Sequence, residues 1–479
     1  MSESSVSPNG SIASTFGFIQ RWFKADPYRW IALTIIAGVL LLSYLLGARV
    51  SPDDISTISI ALAGIGLVLV LLRWMPLGLF LLIFAALYLD IEIKTGSATS
   101  PNIAMVLVPF LFVIWVVDML VRQREIRIIP SRVFVPLSGF VIVCLLAIGF
   151  GQLPWFIFSS AAPLRSQFAG LAIYLLSAGI FVLAAHLLSD QKWLERLTWF
   201  FLALAGVYIL VAIIPSVNRI VMPRIPSGVS GSLFWIWLVA LAFSQALLNR
   251  RLHLRWRVLL FCLTAATFYL ALVVHYDWKS GWVPPLIAIG VILWLWSPRL
   301  GLLLLLVGAV FSWDLPFQLI ASDQYSFDTR MAAWQIVLGQ IVRVNPILGI
   351  GFANYRLYAR QFPILGYYIQ FNSHNNYVDI IAQTGLLGLA FFLWFAWELG
   401  RLGWRLRSQV PEGFPKAYVA GALAGLVATL VTGMLGDWVL PFVYNVGMNG
   451  MRASLLGWIF LGGLVALGQI YLQKKQESS

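Results

Sequence analysis

Apolar runs recur along almost the whole chain, and short polar or basic connections separate them. A helix needs about twenty apolar residues to cross a hydrocarbon core of roughly 30 Å, so each run predicts a membrane-spanning helix. The predicted spans are 30–48, 56–72, 75–91, 102–121, 133–151, 168–188, 197–214, 232–248, 257–275, 281–297, 300–313, 384–402, 417–436 and 453–472. This pattern predicts an all-α polytopic membrane protein with about 12–14 transmembrane helices, the lower number if either of the short pairs 56–91 and 281–313 is a re-entrant hairpin.

One long polar-to-mixed stretch, 314–383, interrupts these runs late in the chain. Lys and Arg concentrate in the connections on the side of the N-terminus, and such connections are usually cytoplasmic. Both termini are therefore predicted to be cytoplasmic, in the inner (plasma) membrane, and the long stretch is predicted to be an extracytoplasmic loop with short helices. The predicted parts are a tail at 1–29, a bundle at 30–313, the loop at 314–383, helices at 384–472 and a tail at 473–479.

Composition supports a membrane protein, with 60% hydrophobic and 11% charged residues. The net charge of +13 is attributed to cytoplasmic cations facing anionic headgroups, so membrane lipids and not nucleic acid are the expected partners. Cys144 and Cys262 fall inside predicted spans, where they are expected to pack as small apolar side chains. The outer loops contain no spacing of ligands typical of a metal site, so a mechanism without metal or cofactor is expected.

The long loop has internal order of its own. Asp328 is a candidate N-cap for a helix from Thr329 to about Val342 that ends before Asn345-Pro346, and its apolar face is predicted to comprise Met331, Trp334, Val337, Leu338 and Ile341.

A glycine-marked turn with Gly349 and Gly351 follows, and then a short aromatic and basic helix around 355–360. Asn375 is predicted to start the helix that continues into the next span. His374 would then lie at a helix N-terminus.

His374 and Arg330 are the candidate catalytic residues. A neutral imidazole is suited to accept a proton from a hydroxyl near neutral pH, and a helix N-terminus favours the uncharged ring. Arg330, together with the helix terminus, would attract a phosphate or diphosphate. The simpler alternatives are a surface histidine that makes local hydrogen bonds and an arginine that contacts lipid headgroups.

The chain resembles the O-antigen ligase and polymerase family, whose members are membrane glycosyltransferases that use polyprenyl-diphosphate-linked glycans. The resemblance covers about 328–400 and rests on Arg330, Trp334, Asn345-Pro346, Gly349-Ile350-Gly351, Asn354, His374-Asn375-Asn376-Tyr377 and Gly385-Leu386-Leu387-Gly388. It implies a helical bundle with an outer cavity, catalytic His374 and Arg330, and a polyprenyl-diphosphate glycan donor with a lipid or glycan acceptor. Asn354, Asn375, Asn376, Gly349, Gly351 and Trp334 would support the loop.

The family places a second arginine in an earlier outer turn, where this chain has Lys279. Lys279 and Arg224 are therefore the candidates for a further diphosphate-binding cation. The resemblance implies that His374 deprotonates an acceptor hydroxyl, which attacks the anomeric carbon with inversion. Trp282, Trp313, Phe317 and Tyr355 are candidate walls of a groove for the polyprenyl tail.

Two other classes remain open. A transporter or flippase of lipid-linked glycans would also have many spans, and the 281–285 run could break a helix as transporters require. Asp118, Glu398 and Asp437 lie near predicted span ends instead of the midplane, which disfavours transport. A structural or regulatory membrane subunit is the third class, and within the enzyme class the sequence leaves ligase and polymerase undecided.

Overall fold

A computed structural model describes residues 55–89, 91–92, 100–221, 231–311 and 324–473. Within these residues the regular structure is helical, with no β-strand. The α-helices are α1 Ile55–Arg73, α2 Leu77–Tyr88, α3 Ile103–Val117, α4 Phe134–Phe150, α5 Leu164–Leu187, α6 Gln191–Ile213, α7 Pro215–Val221, α8 Ser232–Leu248, α9 Leu254–Tyr269, α10 Lys279–Trp296, α11 Pro298–Phe311, α12 Gln324–Ile336, α13 Asn354–Tyr358, α14 Asn376–Leu406, α15 Phe414–Leu435 and α16 Met451–Gly468.

Eight helices in the described residues are long and apolar enough to cross a membrane, and four shorter apolar helices accompany them. Every predicted span after the first coincides with a helix, and the first, 30–48, lies outside the described residues. The prediction of an all-α polytopic membrane protein is therefore confirmed. The Pro284–Pro285 pair lies inside α10 without ending it, so the break that the transporter alternative would use is not found at this point.

The chain divides into two compact units. In the smaller one, the described residues are 55–75 and 113–127, and Arg122 Nη1 donates to the Leu72 carbonyl oxygen at 2.9 Å. The larger one contains the described residues of 76–112 and 128–473. Within it α16 packs against α5, and α8 packs against α15 and α10.

Small residues allow the helices of the larger unit to approach closely. A Cβ at Gly462 of α16 would lie 2.7 Å from the Ala184 side chain of α5, and one at Gly421 of α15 would lie 2.5 Å from the Ser244 side chain of α8. Lipid tails are as apolar as leucine, so membrane helices associate through such close packing and not through a hydrophobic drive.

Helix α14 is broken at Gly385, whose φ of 72° and ψ of −175° are not helical. The backbone of 346–351 bonds to both sides of the break. Ile350 N donates to the Ala382 carbonyl oxygen at 2.9 Å, and Leu386 N donates to the Pro346 carbonyl oxygen at 2.9 Å. The glycine-marked turn thus supplies the hydrogen bonds that the helix loses at its break, because buried backbone groups need partners.

The segment from α12 to the start of α14 has an apolar core of its own. Ala333, Val337 and Ile341 are buried in it together with side chains from α13 and from the connection after α15. The predicted apolar face is only partly correct, since Leu338 is 39% exposed. The reason is a π-helical turn over Val337–Ile341, which changes the residue spacing around the helix.

The helix containing Arg330 begins earlier than predicted. Asp328 lies inside α12, which starts at Gln324, so its assignment as the N-cap is wrong. The helical run does end before Asn345, after a short 3-10 turn at Val342–Val344, as predicted. The predicted short helix around 355–360 is confirmed as α13, which continues in a 3-10 turn to Gln361.

Candidate functional site

His374 directly precedes the N-terminus of α14. Asn375 is the N-cap of this helix, and its side-chain oxygen accepts from the backbone nitrogens of Tyr377 and Val378 at 2.9 and 3.4 Å. The predicted helix start and the position of His374 beside it are confirmed. His374 has a φ of +50°, and its side chain is partly exposed. The left-handed backbone turns the ring out of the line of the helix.

A buried polar cluster holds the backbone beneath His374. The Ser373 and Tyr355 hydroxyls both donate to Oδ1 of Asp379, at 2.6 and 2.7 Å, and the Tyr355 oxygen accepts from the Ser373 backbone nitrogen at 3.1 Å. Trp334 Nε1 donates to the Ser373 carbonyl oxygen at 2.7 Å. Side chains from α12, α13 and α14 therefore all help to hold the backbone before His374 in place. Trp334 therefore contacts the backbone directly before His374.

Asn445, from the connection after α15, contacts the imidazole, and Asp437 from the same connection lies behind it. Nδ1 of His374 lies 3.1 Å from Nδ2 of Asn445, and the same Nδ2 donates to Oδ1 of Asp437 at 2.6 Å. Oδ2 of Asp437 accepts from the Phe442 backbone nitrogen at 2.9 Å. Asp437 is only 2% exposed. The histidine is therefore linked to a buried carboxylate through one carboxamide.

This link selects a tautomer of the neutral ring. An ionised carboxylate only accepts hydrogen bonds, so Asp437 holds the amide nitrogen of Asn445 toward itself. An amide nitrogen only donates, so Nδ1 of His374 accepts from it, and the ring proton lies on Nε2. With Asp437 ionised, the arrangement favours a neutral imidazole that presents an N–H outward.

Charge and burial act on the ring together. The pKa of His374 lies below its ordinary value of 6.5, chiefly because burial disfavours the charged ring. Asp437 raises this pKa and Arg330 lowers it. Burial also raises the pKa of Asp437, against hydrogen bonds from Phe442 and Asn445 that lower it. His374 is thus an uncharged ring at neutral pH.

The structure brings Arg330 near His374, since its charge acts on the imidazole from α12, where the side chain is partly exposed. Another cation, Arg356 of α13, was not among the sequence candidates. Its Nη1 donates to the Tyr444 carbonyl oxygen at 2.9 Å, and its guanidinium lies 4.9 Å from the centre of the Tyr444 ring. Tyr444 precedes Asn445, so Arg356 fixes the chain beside the amide that contacts His374.

Of the proposed further cations, Lys279 is the first residue of α10, and Arg224 lies outside the described residues. The turn before Lys279 does reach the connection after α15. The Trp278 ring packs edge-on against Trp438 at 5.8 Å, next to Asp437. The turn before α10 and the connection after α15 are therefore in contact.

The supporting asparagines lock distant segments to the site. Asn354 is fully buried, accepts from the Ala162 backbone nitrogen at 2.7 Å and donates to the Gly151 carbonyl oxygen at 3.0 Å. Asn376 accepts from the Val439 backbone nitrogen at 2.9 Å and donates to the Leu440 carbonyl oxygen at 2.7 Å. Asn376 thereby holds the connection that carries Asp437 and Asn445 against the start of α14.

Gly349 and Gly351 have φ values of +72° and +86°, where side chains other than glycine are strained. A Cβ at Gly349 would lie 2.6 Å from the backbone nitrogen of Gly385, and one at Gly351 would lie 2.3 Å from Cα of Gly151. Gly349 thus permits the backbone contact at the break in α14, and Gly351 permits a close approach to the end of α4.

The proposed tail groove is contradicted at Tyr355, which is fully buried and stacks on Phe442 at 4.7 Å. A side chain enclosed in this way cannot line an open groove. Trp282 is 5% exposed and donates to the Tyr276 carbonyl oxygen at 2.9 Å, so its ring also faces inward. Trp313 and Phe317 lie outside the described residues.

The residues that sequence reasoning missed are Asp437 and Asn445. The available signal was their position, since both are polar residues in the short connection between the last two apolar runs. Among the described residues, no group of three or more His, Cys, Asp or Glu side chains could hold a metal ion. The sequence matches no protein-family model and no curated protein.

Proposed function

We propose that this protein is a membrane glycosyltransferase that moves a glycan from a polyprenyl diphosphate to an acceptor hydroxyl, as the O-antigen ligases and polymerases that it resembles do. The reaction would take place on the extracytoplasmic side of the inner (plasma) membrane, with both termini in the cytoplasm. The observation that carries the proposal is the position of His374 at the start of α14, where Asn445 contacts its ring and the charge of Arg330 acts on it.

Each part of this arrangement matches a requirement of the reaction. Hydroxyl attack needs a group that accepts a proton, and an uncharged imidazole is the side chain suited to this near neutral pH. Departure of a diphosphate needs positive charge, which Arg330 and the N-terminus of α14 supply. A lipid-linked donor needs a site beside the membrane, and α14 is one of the apolar helices.

In the proposed step, the acceptor hydroxyl transfers its proton to His374 while its oxygen forms a bond to the anomeric carbon. The bond from this carbon to the diphosphate oxygen breaks, and the polyprenyl diphosphate departs with the electron pair. Arg330 stabilises the charge that develops on the leaving oxygen. A single displacement of this kind inverts the configuration at the anomeric carbon.

The contact with Asn445 defines two roles for the ring within this reaction. A base that acts through Nε2 needs the proton on Nδ1, so the Asn445 amide must present its oxygen to the ring, and this becomes favourable when Asp437 is protonated. With Asp437 ionised, Nε2 instead carries a hydrogen and donates to a diphosphate oxygen. The amide orientation therefore decides between proton acceptance and hydrogen-bond donation.

The test is reconstitution of the purified protein in vesicles with a polyprenyl-diphosphate oligosaccharide. A ladder of products on a gel indicates a polymerase, and a single transferred product indicates a ligase. His374→Ala is expected to lower the transfer rate by about a hundredfold to ten-thousandfold, the usual contribution of a positioned acid or base.

His275→Ala is the matched control. His275 is exposed at the end of the helical run that begins at Leu254, so its removal is expected to leave transfer unchanged. Both variants are checked for normal membrane insertion. Full activity of His374→Ala would overturn the assignment of His374. Movement of the lipid-linked glycan across sealed vesicles without covalent change would identify a flippase instead.

A further inference from the structure

An open cavity lies at the far end of α14 from His374. Its volume is about 430 Å³, and it lies where the segment before α4, the last turns of α14 and the end of α16 meet. All three elements belong to the larger unit. The proposed reaction takes place near residue 374, so this cavity has no part in it.

The cavity is positively charged. Arg132, Arg401 and Arg405 line it, and Glu398 is its one lining acid, so three positive charges and one negative charge leave a net +2. Arg401 Nη2 lies 3.0 Å from Oε2 of Glu398. Within the described residues, no carboxylate forms an ion pair with Arg132 or Arg405, and both are exposed. Two guanidinium groups at the cavity are therefore available to an anion.

The uncharged lining is largely apolar, with Leu402, Val465 and Leu472 beside the arginines, and Ser131 and Gln469 are its polar members. A free inorganic ion would gain nothing from such side chains. A lipid that carries a phosphate would place its headgroup on the arginines and the first carbons of its tails on the leucines and valine. Planar guanidinium groups bind phosphate oxygens in pairs, and basic pockets between membrane helices bind anionic headgroups.

We propose that this cavity is a binding site for the headgroup of an anionic phospholipid, with Arg132 and Arg405 as the phosphate contacts. The ion pair with Glu398 holds Arg401 at the wall of the cavity. The site is independent of glycosyl transfer, because it lies at the opposite end of α14 and shares no residue with the His374 cluster.

The test uses the full chain in nanodiscs that contain phosphatidylcholine with phosphatidylglycerol, and native mass spectrometry counts the lipid retained after mild release. The wild-type protein is expected to retain phosphatidylglycerol in preference to phosphatidylcholine. In the double variant Arg132→Gln and Arg405→Gln, the ratio of retained phosphatidylglycerol to phosphatidylcholine is expected to fall by about thirty-fold. Each arginine near a headgroup contributes roughly a factor of five to the affinity for an anionic lipid.

Arg299→Gln is the matched control. Arg299 is an exposed arginine at the start of α11 and does not line the cavity, so its removal is expected to leave lipid retention unchanged. Equal retention by the wild type and the double variant would overturn the proposal. Equal retention of phosphatidylglycerol and phosphatidylcholine by the wild type would also overturn it. A third contrary result would be a rise in the thermal unfolding midpoint, caused by inorganic phosphate in pure phosphatidylcholine, that equals the rise caused by phosphatidylglycerol.

Discussion

At the scale of single residues, the side chain of Asn445 links the His374 ring to the buried carboxylate of Asp437. A carboxamide has one end that donates and one that accepts, so its orientation determines which ring nitrogen of the histidine carries the proton. Asp437 selects this orientation although it does not contact the ring itself. It is therefore a positioning residue, and a substitution at Asp437 should act through the tautomer of His374.

Asp437→Asn is expected to move the ring proton from Nε2 to Nδ1. The carbonyl oxygen of the new amide at position 437 still accepts from the Phe442 backbone nitrogen, and its nitrogen donates to the side-chain oxygen of Asn445. The Asn445 oxygen then faces both residue 437 and His374, and it accepts from Nδ1 of the ring. Nitrogen NMR of labelled histidine measures the tautomer directly. Asp118→Asn, at another buried aspartate, is the control and should leave the His374 signal in place.

The same variant separates the two proposed roles of the ring. If His374 is the base, Asp437→Asn retains or increases transfer, because Nε2 gains a lone pair. If His374 donates to the diphosphate, transfer falls. A His374 signal that stays in the Nε2–H form would contradict the tautomer argument in either case.

Arg330→Gln is expected to shift the acid limb of the rate profile to higher pH. The neutral ring is the active form, so activity is lost as pH falls through the pKa of His374, which lies below 6.5. Arg330 lowers this pKa, and its removal lets the pKa rise. Transfer rates measured across a range of pH locate the acid limb of the profile, and Arg299→Gln is the control. An unchanged limb would show that the charge of Arg330 does not reach the ring.

At the scale of elements, the break in α14 and the turn at 346–351 form one structure. The turn bonds to backbone groups on both sides of Gly385, and two glycines, Gly349 and Gly385, permit the contact. Irregular backbone within an apolar helix is tolerated where protein groups satisfy it. The break therefore anchors the segment that follows α12, the helix of Arg330, to α14, which begins just after His374.

Gly385→Ala is expected to destabilise this anchor. A Cβ would lie 2.1 Å from the Ile347 carbonyl oxygen, and the φ of +72° is strained for alanine. The cost is about 2 kcal/mol or more, which thermal unfolding in detergent measures. Gly290→Ala in α10, where a Cβ meets nothing within 4 Å, should keep the wild-type midpoint. Equal midpoints for the two variants would contradict this account of Gly385.

At the scale of the whole molecule, the two proposed sites lie at opposite ends of α14. From Leu386 to Leu406 the helix is unbroken and about 30 Å long at 1.5 Å per residue, enough to cross a hydrocarbon core. One end carries the His374 cluster, and the other carries the arginine-lined cavity. A headgroup site at a cytoplasmic end and a transfer site at an extracytoplasmic end are consistent with the predicted distribution of Lys and Arg.

Single cysteines test this orientation. In a background without Cys144 and Cys262, Tyr368→Cys is expected to react with a membrane-impermeant maleimide in right-side-out vesicles. Ser408→Cys should react only after the vesicles are opened. Both positions are exposed, and they lie before and after α14. The reverse labelling pattern would place the His374 cluster in the cytoplasm and would exclude the proposed extracytoplasmic transfer.

Local pattern was enough to predict the helices and several features of the site. Hydropathy located the spans, the N-cap preference of asparagine located the start of α14, and Gly349 and Gly351 marked the turn. Local pattern failed at Asp328, which lies inside α12, and at Leu338, because the π-helical turn at Val337–Ile341 packs against α13 and α14.

By itself the sequence determined that this is a helical membrane protein with His374 at a helix N-terminus, because hydropathy and capping act within a few residues of the chain. Only the tertiary structure decided that Asn445, 71 positions from His374, contacts its ring, and that Arg132 and Arg405 share a cavity. Such neighbours leave no periodic or local signal in the chain. They meet because helix packing brings distant connections to the same end of the bundle.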